Sequence, residues 1–299
     1  MSKTTNRGLK LKKTNQVWGR VFDYIENNID AELSIDNLAI KFNFSKFHIQ
    51  RQFNCYFGIS LFKLVKLIRL KRSAYQLAFR EPMKIIDIAF EAGFESSEAF
   101  SRTFKEQFNL SPREFRKAPL DGSWEIHFDH LNQLRNKSMQ IKFNLSDIEI
   151  VEFNKTKIAV LEHKGNPALL GSSIQKFISW RKANKLPPSK SKTFNLIYDD
   201  PRITHPDDYR FDLACSVESA VEEGSSGIIN KMIPQGRCAL LRVIGTDSRL
   251  GTAIEFLYSN WLEQSDEKLR DFPLFFHRVS FFPDVIENEM VTDIYLPIE

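Results

Sequence analysis

The sequence predicts a multi-domain protein: an all-α double helix-turn-helix domain, then an α+β domain of two strand-strand-helix-strand-strand repeats. Three observations lead there. The chain has 299 residues, too many for one ordinary core. Apolar residues recur at helical spacing as far as Lys117, and at a spacing of two from Asp147 onward. Charge divides at the same place: residues 1–119 carry 21 Lys and Arg against 12 Asp and Glu, a net of +9, and the remainder carries 21 against 26, a net of −5. A basic helical half joined to an acidic mixed half suggests a nucleic-acid module with a different module attached.

Composition narrows the class. Hydrophobic residues at 42% and charged residues at 27% indicate a globular chain. Cys55, Cys215 and Cys238 are odd in number and far apart, which excludes a disulfide scaffold, and no pair has zinc-ligand spacing. No apolar run approaches the ~20 residues of a membrane span, and the basic N-terminus lacks a secretory signal. A cytoplasmic, nucleoid-associated protein without cofactor or metal is expected. His127-Phe-Asp-His130 is read as surface chemistry rather than a metal site.

Residues 1–16 read as a basic tail that is either solvated or touches phosphates. Residues 17–117 read as the helical domain. Val21, Tyr24, Ile25 and Ile29 mark its first helix, and Ser34 caps the second. Ser45 is expected to cap a third helix, 45–57, closed by Gly58. Ser60 opens a long helix to Phe79, with Pro82 marking the break. Ile85, Ile86, Ile88 and Ala89 form a short helix closed by Gly93. Ser96 or Ser97 caps the next helix, to Phe108, and Pro112 begins the last. Two units of short helix, turn and second helix are thus joined by one long helix.

Residues 118–146 read as a linker, polar from Asn132 to Ser138. Residues 147–299 contain an internal repeat. At an offset of 80, Ala159, Leu161, Gly165, Leu170, Gly171, Ile174 and Ser179 meet Ala239, Leu241, Gly245, Leu250, Gly251, Ile254 and Ser259. Asp212 and Asp293 end the two units at an offset of 81. Such a duplication should form a pseudo-two-fold sheet with helices on one face and a groove on the other.

A helix in the DNA major groove presents few side chains to base edges and needs buried residues to fix its angle. With Ile49 and Phe53 inward, Lys46, His48, Gln50, Arg51 and Asn54 are left outward. In the second unit Ser97, Glu98, Ser101, Arg102 and Lys105 are outward. Arg pairs bidentately with guanine and Gln with adenine. Lys63, Lys66, Lys71, Arg72, Arg113, Arg116 and Lys117 fit backbone contacts that position without specifying.

The run Ile86-x-Ile88-Ala89-x-x-x-Gly93-Phe94-x-Ser96-x-x-x-Phe100-x-x-x-Phe104-Lys105, followed by Ser111-Pro112-x-x-Phe115-Arg116, resembles the signature of the AraC/XylS transcription regulators. So does Ile49-x-Arg51-x-Phe53 with Gly58 and Arg69. Asn109 stands where that family usually has Gly. The resemblance is nearest to the MarA/SoxS/Rob branch, and it implies that Phe47, Gln50, Arg51, Ser97, Glu98, Ser101 and Arg102 face the groove. The duplicated unit resembles the GyrI-like effector-binding domain in Tyr198-Asp-Asp-Pro201, Arg210-Phe-Asp212, the Ile233-Pro-x-Gly236 hairpin, Trp261 and Thr292-Asp-Ile-Tyr-Leu-Pro297. The order of the two domains is a Rob-like arrangement.

Phe276 and Arg278 replace the Glu and Tyr of that domain's cation-pairing strand. The resemblance therefore implies a neutral or anionic apolar effector, with Trp180, Phe194, Tyr198, Phe256, Trp261, Phe276 and His277 as candidate lining. It also implies a sequence-specific regulator, an activator working with RNA polymerase, that binds an asymmetric duplex as a monomer. A hydrolase-like C-terminal enzyme is the alternative, but no triad or phosphate-loop motif supports it. An architectural or RNA-binding role ranks lower, because no aromatic RNA platform is readable.

Overall fold

A computed structural model describes residues 17–299 apart from 32, 46, 47, 81, 118–127, 139–142, 202 and 223–225. The basic tail, Lys46, Phe47 and His127 lie outside the described residues. The chain divides into two compact units near residue 142.

In the first unit, α1 spans residues 17–27 and buries Trp18, Val21, Phe22 and Ile25. The first motif is α2 (Ile35–Phe42) and α3 (Ile49–Phe57). The long α4 (Leu61–Phe79) leads to the second, α5 (Ile85–Glu91) and α6 (Ser97–Phe108), and α7 (Pro112–Lys117) follows. The caps are side chains of the expected kind. Ser34, Ser60 and Ser96 each accept an amide three residues on, which resolves the choice between Ser96 and Ser97. Ser111 and Glu114 exchange hydrogen bonds as a capping box at α7.

The two motif turns close alike. Asn43 and Gly93 take left-handed backbone at φ 55° and 77°, and the amides of Phe44 and Phe94 donate to the carbonyls of Ala39 and Ala89. Asn109 takes φ 58°, the left-handed region that Asn tolerates as the more usual Gly does. Aromatic rings lock both motifs. Trp18 stacks on Phe44 at 4.9 Å and meets Phe53 and Phe57 edge-on, while Phe100, Phe104, Phe108 and Phe115 form a continuous chain of ring contacts.

Two expectations are corrected here. The third helix begins at Ile49 rather than 45; Ser45 contributes its carbonyl, which accepts the amides of His48 and Ile49. Part of the supposed linker is a helix, α8 (Asp129–Ser138), and it belongs to the first unit. Phe128, Leu131, Leu134 and Arg135 are buried there, and Arg135 pairs with the buried Glu26 of α1.

The second unit is one eight-stranded antiparallel sheet. Its elements are β1 (Ile148–Phe153), β2 (Thr156–Lys164), α9 (Leu170–Ala183), β3 (Thr193–Ile197) and β4 (Arg210–Ser216), repeated as β5 (Ile228–Ile233), β6 (Gly236–Ile244), α10 (Leu250–Phe256), β7 (Leu274–Arg278) and β8 (Val291–Pro297). The order β1-β6-β8-β7-β3-β4-β2-β5 places a pseudo-two-fold axis between β3 and β7.

The first strand of each repeat joins the other repeat: β1 pairs β6, and β5 pairs β2. The expected Ile233-Pro-x-Gly236 hairpin is therefore not one. The turns at 154–155 and 234–235 join opposite edges of the sheet, so the sheet has to curl until those edges meet at one corner. The α10 helix continues through a π-helical turn, Leu257–Trp261, to Gln264. That turn absorbs the extra residue that shifts the repeat offset from 80 to 81, so that Trp261 answers Trp180 and Phe275 answers Phe194.

Candidate DNA-reading helices and effector face

On α3, Ile49, Phe53 and Phe57 lie at i, i+4 and i+8 and are buried, which turns the opposite side outward. Gln50, Arg51 and Asn54 are exposed there and line a shallow concavity with Cys55. His48 is exposed too, but it sits at the N-cap rather than within the helix. Cys55 was not among the expected face residues, although its spacing of four from Arg51 placed it there.

On α6, Phe100, Phe104 and Phe108 repeat the buried pattern. Glu98, Arg102 and Lys105 are exposed, with Ser97 and Ser101 half-buried beside them. These five occupy one helical stripe, and Glu98 lies in the first turn, where the helix dipole favours a carboxylate.

Among the expected phosphate contacts, Lys63, Arg113 and Lys117 are exposed. Two others are committed inside the fold. Lys71 is buried with its ammonium 5.9 Å from the Phe128 ring, and Arg72 binds Asp30 at 2.8 and 3.0 Å.

In the second unit the strands alternate between two faces. Ala239, Leu241, Val243, Ile294, Leu296 and Phe276 pack under α10, and Ala159, Leu161, Leu213 and Cys215 under α9. The other face carries Ile158, Val160, Phe194, Leu196 and Phe275. Of the seven expected lining residues, Phe194, Tyr198 and His277 stand on this face, opposite α9 and α10. Trp180, Phe256, Trp261 and Phe276 do not; they fill the layers between sheet and helices, Trp180 stacked on Phe177 and the other three around α10.

The expected groove is filled at its centre by the protein's own rings. Phe194 is 1% exposed and Phe275 0%. Phe153 meets Phe275 at 4.9 Å and Tyr295 at 5.2 Å, and Tyr295 stacks on Phe275 at 5.0 Å.

Two polar clusters flank this aromatic patch, related by the pseudo-two-fold axis. In one, Lys231 bonds Asp212 and Glu162, each at 2.7 Å, and Tyr198 donates to Asp212 at 2.9 Å. Burial would lower the Lys231 ammonium, but its bonds to Asp212 and Glu162 raise it above its ordinary value. The Lys231 hydrogen bond holds Glu162 below the usual carboxylate range, and burial pushes Tyr198 up. In the other, Arg242 binds Asp293 bidentately at 2.7 and 2.8 Å. His277 Nδ1 lies 4.0 Å from Asp293. Both buried carboxylates thus already hold a cation. Sequence reasoning missed these clusters, although charged residues inside alternating strands at repeat-equivalent positions, Glu162 with Arg242 and Asp212 with Asp293, were a readable signal.

Comparison with known proteins agrees with this division. Residues 146–299 match the GyrI-like small molecule binding domain, and residues 38–118 match a helix-turn-helix domain. The probable transcriptional regulator YgiV of Escherichia coli K12 is 35% identical over 153 residues, which are 51% of this chain and 96% of that protein. The right origin-binding protein of the same strain is 36% identical over 96 residues, 32% of this chain and 33% of that one. Among solved structures, EcmrR in a DNA complex is 16% identical, covers 90% of this chain and 85% of its own, and has a TM-score of 0.43.

Proposed function

We propose, for a chain that belongs to the GyrI-like small-molecule-binding family and carries an AraC-type helix-turn-helix domain ahead of it, a mode of action for its two halves. The protein is a DNA-binding transcription regulator with an effector-binding domain. One copy reads an asymmetric duplex, α3 and α6 entering adjacent major-groove segments about one helical turn, ~34 Å, apart. The observation that carries this is the pair of exposed stripes, Gln50, Arg51 and Asn54 against Glu98, Arg102 and Lys105, each braced by buried phenylalanines. The two stripes differ in chemistry, so the half-sites differ and no two-fold partner is needed. Arg51 and Arg102 are the guanine readers, and Glu98 accepts from cytosine.

Selection of duplex DNA from a random pool by the full chain tests this. An enriched asymmetric site with two conserved blocks should emerge, and Arg51→Ala and Arg102→Ala should each relax one block at a cost of ~1–3 kcal/mol. Equal loss across all sequences from either change would reduce these residues to phosphate contacts.

The effector is neutral or anionic and apolar. Support comes from the pairing of Asp212 with Lys231 and of Asp293 with Arg242, so that each of these two buried carboxylates already holds a cation. The family resemblance supports activation through contact with RNA polymerase; run-off transcription with and without the protein decides the sign.

A further inference from the structure

Two helices can read two groove segments only if their mutual geometry matches the DNA. Shifting one half-site by a base pair moves it ~3.4 Å along the axis and about 35° around it. The hydrophobic driving force is non-directional, whereas hydrogen bonds and ion pairs are directional. A directional element is needed, and the central helix carries one.

Arg69, Arg72 and Gln76 lie at i, i+3 and i+7 on one side of α4. Arg69 Nε and Nη2 donate to the Ile29 carbonyl at 2.9 and 2.7 Å, and Nη2 also reaches Ala31 at 3.4 Å, which closes the end of the first motif's supporting helix. Nη1 of the same guanidinium lies against Gly93 in the turn of the second motif. A β-carbon at Gly93 would collide with Nη1 and stand 3.1 Å from Cζ. Arg72 Nη1 donates to both Asp30 oxygens on the first side, and Nη2 lies 3.9 Å from Glu91 on the second. Gln76 donates to Glu91 at 2.6 Å. Three residues of one helix thereby touch residues 29–31 and residues 91–93 together.

We propose that this Arg69–Arg72–Gln76 ladder is the positioning device that sets the spacing of the two half-sites. It rests on the reading of DNA by both α3 and α6. The guanidinium fork fixes orientation as well as distance, and a lysine cannot reproduce it. Asp30 is 62% exposed, so its pair with Arg72 contributes little stability and its effect falls on geometry.

The test uses the full chain and its selected duplex with one base pair inserted or removed between the blocks, and a control in which one block is scrambled. Wild type should lose about tenfold in affinity on either spacing change, the size of one mismatched contact. Arg69→Lys and Arg72→Gln should bind the three spacings within about twofold of one another while still rejecting the scrambled block. A variant that is only less folded would lose affinity for all duplexes by one factor and keep the wild-type ratio, which overturns the proposal. So would both variants discriminating spacing as wild type does. If wild type is indifferent both to spacing and to the scrambled block, the two-helix reading itself fails, and the ladder's role fails with it.

Discussion

His277 stands on β7 with its ring 5.2 Å from that of Phe194 and Asp293 beside it. Burial lowers its pKa, Lys192 and Arg242 lower it further, and Asp293 opposes them. The folded chain therefore resists a proton that the unfolded chain takes up near pH 6.5. Stability from this residue is complete above that pH and is lost as pH falls toward the depressed folded value. Thermal melts between about pH 7.5 and 5 should show a decline that is shallower in His277→Asn. An unchanged slope would place the titration elsewhere. At this scale the exposed stripes of α3 and α6 were legible, because a 3.6-residue period with Phe or Ile on one side leaves the other side determined. The effector face was not. Phe276 and His277 are neighbours in sequence but alternate across a strand, and only the pairing of β7 with β3 and β8 decides which of them faces α10.

The starts of α2, α4, α6 and α7 were readable because Ser34, Ser60, Ser96 and Ser111 cap them locally, and the end of α3 because Gly58 takes the left-handed backbone there. Two elements escaped for contrasting reasons. The start of α3 rests on the Ser45 carbonyl, which any residue supplies. The α8 helix looks polar, because its stability comes from outside itself: Phe128, Leu131 and Leu134 bury against the first unit, and Arg135 pairs with Glu26 and faces the Phe22 ring at 5.7 Å. Both charges of that pair are buried, so removing Arg135 takes a cation away from a buried carboxylate. Arg135→Ala in the full chain should destabilise the first unit by ~3–5 kcal/mol, whereas replacing both partners by apolar residues of similar volume should cost far less. Chemical denaturation followed through the tryptophans checks the pair. A loss under about 1 kcal/mol would mark it as an ordinary surface contact.

The duplication was plain in the offset of 80, and the architecture was not, because identity between repeats says nothing about which repeat each first strand joins. Two-residue turns at 154–155 and 234–235 look like hairpins until the exchange of β1 and β5 is seen. That exchange curls the sheet and brings Phe153 over Phe275, filling the centre of the groove with aromatic rings and leaving the polar clusters on either side of it. Charge selection then depends on how those clusters are balanced. Asp293 is neutralised by Arg242, whose side chain remains 58% exposed and open to an anion. An aryl carboxylate should therefore raise the melting temperature of the second unit, and a quaternary ammonium of similar size should not. At a hundredfold excess over Kd the gain corresponds to about 2.7 kcal/mol. Arg242→Ala leaves Asp293 buried without that partner, so this variant should be less stable alone and should reverse the preference, gaining from the cation and ignoring the anion. Wild type stabilised by the cation, or a variant with unchanged preference, would show that the Arg242–Asp293 balance does not select the effector's charge.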